Sequence, residues 1–129
     1  MKISETCIVL YVRDQNRSTD FYSRLLGMEP VLHVPGMTEF LIHQGLKLGL
    51  MPEKGIAGII SPVMPDPAAG SGIPRCELYL LVEDADLAFN RAVEAGAMIV
   101  SGPDNRDWGH RAGYLADADG HVLAFAHII

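Results

Sequence analysis

The chain has 129 residues, with 10 lysines and arginines against 16 aspartates and glutamates, so its formal net charge is −6. This length is enough for a domain with its own core, and 49% hydrophobic with 20% charged residues is typical of a globular protein. The acidic balance excludes a general nucleic-acid binder, which needs a basic face, and no apolar run approaches the roughly 20 residues of a membrane span.

The chain start and the cysteines predict a cytoplasmic protein. Residues 1–6 show no basic-then-apolar signal pattern. Both cysteines, Cys7 and Cys76, stand in strand-like runs, and we expect reduced thiols rather than a disulfide. Cys76 is expected to be a small buried hydrophobe.

In the first half, an apolar strand runs from Cys7 to Asp14, whose carboxylate suits a helix N-cap. A helix over residues 15–26 follows, ends at Gly27, and is expected to turn Ser18, Phe21 and Leu25 toward a sheet. Turn residues then separate three short strands, predicted at Met28–Val34, Thr38–Gln44 and Leu46–Met51.

The segment between Pro52 and Pro74 holds five of the eight prolines and four glycines, which predicts a connector without regular structure. Its apolar residues favour a flap that covers part of the protein. These residues are Ile56, Ile59, Ile60, Val63 and Met64.

The second half repeats the first about seventy residues later. The strand Glu77–Asp84 again ends in a capping aspartate, and a helix over 85–95 is expected to bury Leu87, Ala88 and Val93 before it ends at Gly96. Strands are predicted at Ala97–Val100, His110–Ala116 and His121–Ile128, with the tight turn Asp117–Gly120 between the last two.

Each half therefore reads β-α-β-β-β, and the fold class is α+β. We expect a single domain over 1–129, with a first module at about 1–52, a connector at 53–74 and a second module at about 75–129. Neither half can cover both faces of its sheet alone, so the modules must pack on each other or on a second chain.

This ordered set of motifs resembles the vicinal-oxygen-chelate superfamily, also called the glyoxalase/bleomycin-resistance/dioxygenase fold. The matching segments are Val12–Asp14, Phe21–Tyr22, Leu25–Met28, Val82–Asp84, Ala95–Gly96, Trp108–Arg111 and Asp117–Val122. The resemblance implies paired βαβββ modules whose curled mixed sheets enclose a cavity, in a homodimer. It is nearest to the bleomycin-resistance branch, in which a Trp-Gly segment lines a drug-binding groove.

The resemblance also implies where a metal would bind. Its metalloenzymes hold a divalent ion on four strands, and the matching positions here are Cys7, Gly49, Glu77 and Ala124. Gly49 and Ala124 have no ligating side chain, so we expect no metal site and no cofactor. Of the five histidines, His43 and His110 are the two expected to face a cavity.

Strand alternation predicts which side chains line that cavity. The candidates are Cys7, Val9, Tyr11, Lys47, Gly49, Met51, Glu77, Tyr79, Leu81, Val122, Ala124 and Ala126. The sole tryptophan, Trp108, is expected to contact ligand, and Arg111 either contacts ligand or pairs with Asp104 or Asp107. The predicted ligand-binding residues are Cys7, Tyr11, Met51, Glu77, Tyr79, Trp108, Arg111 and Ala124.

Glu77 decides how this cavity is interpreted, because a carboxylate in apolar surroundings is costly unless it is paired. Its neutralising partner is expected to be Lys47, Arg111, a cationic ligand or a proton; in an enzyme, Glu77 would be the catalytic base.

The leading hypothesis is a metal-free protein that binds a small aromatic or cationic compound, as antibiotic-resistance members of the superfamily do. One alternative is a metal-dependent glyoxalase-like lyase, isomerase or ring-cleaving dioxygenase with an atypical site. The other is a partner-binding module whose cavity is filled by side chains. The expected partners are a small molecule and a second copy of the chain, with no nucleic acid and no membrane.

Overall fold

The computed structural model describes residues 1–70 and 72–129, which divide into two compact units, residues 1–71 and 72–129. Each unit is a β-α-β-β-β module with a four-stranded mixed sheet, as the repeat predicts. The strand order is β1-β4-β3-β2 in the first sheet and β5-β8-β7-β6 in the second, and the first and last strands of each module pair in parallel. The bounds are β1 Thr6–Val12, α1 Gln15–Leu26, β2 Leu32–Val34, β3 Met37–His43, β4 Leu46–Pro52, α2 Glu53–Ile60, β5 Glu77–Leu81, α3 Ala85–Glu94, β6 Met98–Asn105, β7 His110–Ala116 and β8 Val122–Ile128.

Helix α1 has the predicted bounds and caps. The Asp14 carboxylate accepts the Arg17 N–H, and Gly27 ends the helix in the left-handed conformation with φ 66°. The buried face differs in part from the prediction: Ser18 and Leu25 are buried as expected, but Tyr22 is fully buried while Phe21 is only half-buried. The Phe21 and Tyr22 rings meet edge-on with their centres 5.0 Å apart. Tyr22 lies in the core and Phe21 lies beside it.

The start of α1 is fastened to the β2–β3 turn by one side chain. The Gln15 amide nitrogen donates to the Val34 carbonyl (2.8 Å) and to Thr38 Oγ1 (2.9 Å), and its oxygen accepts the Gly36 N–H. The fully buried Thr38 hydroxyl also bonds Thr19 and His33. A cleft of about 340 Å³ lies here, and these bonds satisfy its polar groups from within the protein.

The connector is not irregular throughout, so that prediction is wrong over residues 53–60. Helix α2 occupies them, and a 3-10 turn spans Pro67–Gly70. The five prolines flank this stretch rather than interrupt it, and Pro52 is the helix N-cap. The better buried residues recur with a helical period, and α2 packs against β1 and β4. They are Glu53, Ile56, Ala57 and Ile60.

In the second unit, helix α3 presents a different face from the one predicted. Ala85, Phe89 and Ala92 are buried against β6, β7 and β8, whereas Leu87 is 60% exposed. The Asp84 cap fixes where the helix begins. The buried face contains Phe89, which lies against Gly113 of β7, and Leu87 lies outside that face.

Two further predictions need correction at strand ends. Strand β2 begins at Leu32 rather than Met28, because Pro30 lacks the N–H that a ladder needs. Strand β6 continues to Asn105 through the segment predicted as a polar loop, with register shifts that absorb Gly102 and Pro103.

Cys76 is exposed and precedes β5, so it is not the buried residue expected. Cys7 is also an exposed free thiol. Among residues 1–70 and 72–129, no helix is long and apolar enough to cross a membrane.

Candidate ligand-binding site

The two sheets each have one face covered by the helix of their module and one face turned away from it, which we call the far face. In the first sheet, Thr38 bonds Thr19 of α1, so the neighbouring Met37 and Glu39 lie on the far face. In the second sheet, Phe89 of α3 lies against Gly113, so Ala112 and Tyr114 lie on the far face.

The cross-strand register places the predicted cavity residues on these far faces. In the first sheet, Cys7 pairs with Lys47, Val9 with Gly49 and Tyr11 with Met51. In the second sheet the pairs are Glu77 with Val122, Tyr79 with Ala124 and Leu81 with Ala126. Alternation in the sequence therefore sorts both sets correctly within their own sheets.

On the first sheet, Cys7 belongs to a charged cluster. Lys47 Nζ lies 2.9 Å from Glu5 Oε1 and 3.6 Å from Glu39 Oε1, and the Cys7 thiol donates to Glu39 Oε2 at 3.9 Å. Loss of solvation raises the pKa of the Cys7 thiol, and the Glu39 carboxylate raises it further. Cys7 is therefore held as a protonated thiol, which is a poor nucleophile and a poor metal ligand.

Gly49 lies beside this cluster, and neighbouring side chains closely surround the position that a Cβ would take. A Cβ on Gly49 would stand 3.2 Å from Cys7 Sγ, 3.3 Å from a Val9 methyl and 3.4 Å from Met37 Sδ. Even a methyl group would be tightly packed at this position, so there is no room for a larger, ligating side chain.

On the second sheet, three side chains join in one hydrogen-bonded cluster. The Trp108 indole N–H donates to Tyr79 Oη at 3.0 Å, and Tyr79 Oη lies 2.8 Å from His110 Nδ1. The rings of Tyr79 and His110 are 5.9 Å apart and tilted by 32°. Trp108 is 52% exposed, so this hydrogen bond fixes a large aromatic surface that faces solvent.

A second tyrosine faces the first across a small-residue strand. Ala124 pairs with Tyr79 on one side and with Tyr114 on the other, so a methyl floor separates the two phenols. The Arg106 guanidinium lies 5.3 Å from the Tyr114 ring centre and donates to the Ala112 and Gly102 carbonyls. Loss of solvation raises the pKa of Tyr114, so its hydroxyl stays protonated at neutral pH.

Glu77 is exposed, so its carboxylate is solvated and does not need a neutralising partner, contrary to the expectation for an apolar cavity. Arg111, the expected basic partner in the same unit, binds Asp86 instead, and Lys47 of the first unit binds Glu5 and Glu39. The Glu77 charge does reach the cluster: after desolvation, it is the next cause of the raised pKa of Tyr114.

Arg111 lies on the opposite face of the second sheet. Its guanidinium donates twice to Asp86 of α3, at 2.7 and 2.9 Å, so its ion-pair partner is Asp86 rather than Asp104 or Asp107. This bond holds the pKa of Asp86 below its ordinary 3.8. His127 lies on the same face and accepts the Ala85 N–H at 2.8 Å.

Sequence reasoning missed Tyr114, which lies on the same far face as the cluster, and Arg106, which lies over the Tyr114 ring. Tyr114 could have been found, because β7 pairs with the strand that carries Ala124 and alternates in the same way. Arg106 had no comparable signal, since its contacts depend on the irregular end of β6.

A model of the glyoxalase/bleomycin resistance protein/dioxygenase superfamily matches residues 6–125, nearly the whole chain. The chain belongs to this superfamily. It is 31% identical over 119 residues to Mb0911c, an uncharacterized protein of Mycobacterium bovis, with 87% of this chain and 75% of that protein covered.

Solved structures of the superfamily share the fold. A glyoxalase/bleomycin resistance protein/dioxygenase family enzyme from Burkholderia phytofirmans has a TM-score of 0.83 at 14% identity, over the full length of both chains. A glyoxalase-related enzyme from Fulvimarina pelagi has a TM-score of 0.80 at 23% identity, over 94% of this chain and 85% of that one. At these identities the likeness concerns the fold alone.

The side chains at the superfamily's metal positions do not fit a divalent ion. The first unit offers Cys7, whose raised pKa favours the thiol, and Gly49; the second offers Glu77 and Ala124. The described residues contain no group of three or more His, Cys, Asp and Glu side chains placed to hold a metal. A divalent site with an open coordination position ordinarily needs about three such protein ligands.

Proposed function

We propose that this superfamily member binds a planar aromatic cation on the far face of the second sheet, without a metal. The observation that carries the proposal is the aromatic cluster of Trp108 and Tyr79 beside the exposed carboxylate of Glu77. Aromatic faces attract flat rings and cations, and a carboxylate at the edge of the cluster supplies the charge complement.

Preorganisation supports the proposal. The hydrogen bond to Tyr79 holds the Trp108 ring in place before any ligand arrives, so less side-chain freedom is lost on binding. Such a surface of aromatic walls with few polar anchors is what small-molecule sites usually present.

The donor set speaks against the metal-dependent alternative, because Gly49 and Ala124 cannot ligate through a side chain. The test is direct. Protein dialysed against EDTA is titrated by calorimetry with 9-aminoacridine and with a bleomycin-type glycopeptide, and then titrated again after addition of Zn²⁺, Ni²⁺, Mn²⁺ or Fe²⁺. We expect binding in EDTA that the metals leave unchanged; binding only after a metal is added would refute the proposal.

Substitutions locate the site. Glu77→Gln is expected to weaken 9-aminoacridine binding about 2- to 5-fold, since it removes one partly screened charge contact. The matched control is Glu83→Gln, another exposed acid of the same unit that follows β5. Equal losses in the two variants would show only an effect of overall charge, and the absence of binding by wild type across both compounds would overturn the proposal.

A further inference from the structure

The hydrogen-bond cluster on the second sheet joins one certain donor, Trp108, to two groups that can each donate or accept, Tyr79 and His110. An indole nitrogen can only donate, so Tyr79 Oη accepts from Trp108. The phenol then has one hydrogen left to place. Within the part of the chain that the structure describes, the one acceptor in reach of it is His110 Nδ1, at 2.8 Å.

A Tyr79 hydroxyl that donates to His110 Nδ1 selects one form of His110, whereas a hydroxyl that accepts from Nδ1–H selects the other. If Tyr79 donates to Nδ1, the neutral imidazole carries its proton on Nε2. The protonated imidazole carries a hydrogen on Nε2 as well. In both states Nε2 is a donor, and among residues 1–70 and 72–129 no hydrogen bond to it is found. His110 is half-buried, but no buried side-chain nitrogen or oxygen among the described residues lacks a partner, so Nε2 reaches solvent until a ligand covers it.

The same face therefore has two ends of opposite character. Glu77 stands two residues before Tyr79 on β5, with its side chain on the far face, and accepts. His110 stands on the other side of the Tyr79 ring and donates. The two tyrosines and the Ala124 floor lie between these ends.

We propose that the ligand is bifunctional: a planar aromatic cation that also carries a carbonyl or similar oxygen acceptor, which receives the His110 Nε2–H. This inference rests on the proposed function and adds a requirement to it. Besides offering their rings to the ligand, Trp108 and Tyr79 position His110, because their hydrogen bonds set its tautomer. A ligand that covers His110 Nε2–H but has no oxygen acceptor leaves this donor without a hydrogen bond, and its affinity is lower for that reason.

The test uses two probes with the same cationic ring, 9-aminoacridine and its 2-carboxamide, which differ by one acceptor-bearing group. Acridine fluorescence reports binding of both at pH 7. We expect the carboxamide to bind wild type roughly 3- to 10-fold more tightly, the range of one net hydrogen bond. In His110→Phe the ratio of the two affinities should fall to about one.

A second readout does not depend on any ligand. Long-range ¹H–¹⁵N spectra of the histidine side chains distinguish imidazole tautomers, and we expect neutral His110 to carry its proton on Nε2 in wild type. Tyr79→Phe, which keeps the ring and deletes the hydroxyl, should produce a mixture of tautomers and reduce the carboxamide's advantage.

The outcomes separate the two proposals. Equal binding of both probes to wild type, or a His110 proton on Nδ1, would overturn the bifunctional ligand while the binding function stands. If neither probe binds wild type, the proposed function and this inference both fail.

Discussion

The replacement Gly113→Ala tests the packing of helix α3 on the second sheet. A Cβ at this position would stand 2.6 Å from Phe89 Cδ2, 3.0 Å from Phe89 Cε2 and 3.1 Å from Pro103 Cγ. The shortest of these is about 1 Å below the roughly 3.5 Å at which carbon atoms pack. Phe89 is 5% exposed, so its ring cannot simply turn away into solvent.

The expected cost follows from two opposing effects. Forcing one extra methyl group into a packed core costs typically about 1–3 kcal/mol. Alanine restricts the unfolded chain more than glycine does, which returns about 0.4–1 kcal/mol at a position whose φ is not positive. The net loss in the free energy of unfolding should be about 1–2 kcal/mol. At a urea dependence of about 2 kcal/mol/M, the unfolding midpoint would fall by roughly 0.5–1 M.

The assay is urea unfolding followed by Trp108 fluorescence, since the sole tryptophan lies in the same unit as Gly113. The control is Gly102→Ala in the same sheet, where a Cβ would meet no atom within 4 Å. The double variant Phe89→Leu/Gly113→Ala should lose less free energy of unfolding than the sum of the losses of the two single variants, because the smaller side chain at position 89 makes room for the added methyl group. An unchanged midpoint in Gly113→Ala would refute the described contact between α3 and β7.

Three further predictions concern single polar contacts. The Gln15→Glu side chain cannot donate to Val34 or Thr38, so the free energy of unfolding should fall by about 1–2 kcal/mol, measured by urea unfolding followed by circular dichroism. The control is the same amide-to-acid change at exposed Asn16, which should cost less. Equal losses would contradict the role of the Gln15 hydrogen bonds. Because the pKa of Asp86 is lowered, its pair with Arg111 stabilises the fold above about pH 4 and ceases to do so as the pH falls through that lowered pKa. The free energy of unfolding of wild type should therefore exceed that of Asp86→Asn at pH 6, and this difference should vanish in strong acid. A difference independent of pH would argue against the ion pair. Glu39→Gln should lower the pKa of Cys7 and speed its alkylation by iodoacetamide several-fold at pH 8, measured after the other cysteine is replaced by serine; an unchanged rate would exclude the Glu39 contact as a cause of the raised pKa.

Several features of the fold were readable because they depend on local chemistry. The capping aspartates Asp14 and Asp84 and the left-handed Gly27 mark helix ends by hydrogen bonds within a few residues, and the structure has them where the sequence predicts. Strand alternation has a period of two, so placing one residue such as Glu77 or Cys7 on the far face fixes the facing of its whole strand.

Helix rotation and ion pairing were not readable in the same way. The predictions were wrong at Phe21 of α1, where Tyr22 is buried instead, and at Leu87 of α3, because hydrophobicity alone does not distinguish neighbouring apolar residues on a short helix. Arg111 finds Asp86, which is 25 residues away in sequence, and no spacing in the chain indicates that meeting.

The sequence by itself determined the module, its duplication and the two far faces, since each depends on residue type and local periodicity. That Gly49 and Ala124 stand at metal-ligand positions is what the family resemblance implies. Only the tertiary structure decided what the charged groups do. It left Glu77 solvated, turned Arg111 to the helix side, and joined Tyr79, Trp108 and His110 into one cluster. Side-chain hydrogen bonds and ion pairs join residues that are distant along the chain, so their partners are set by how the strands and helices come together.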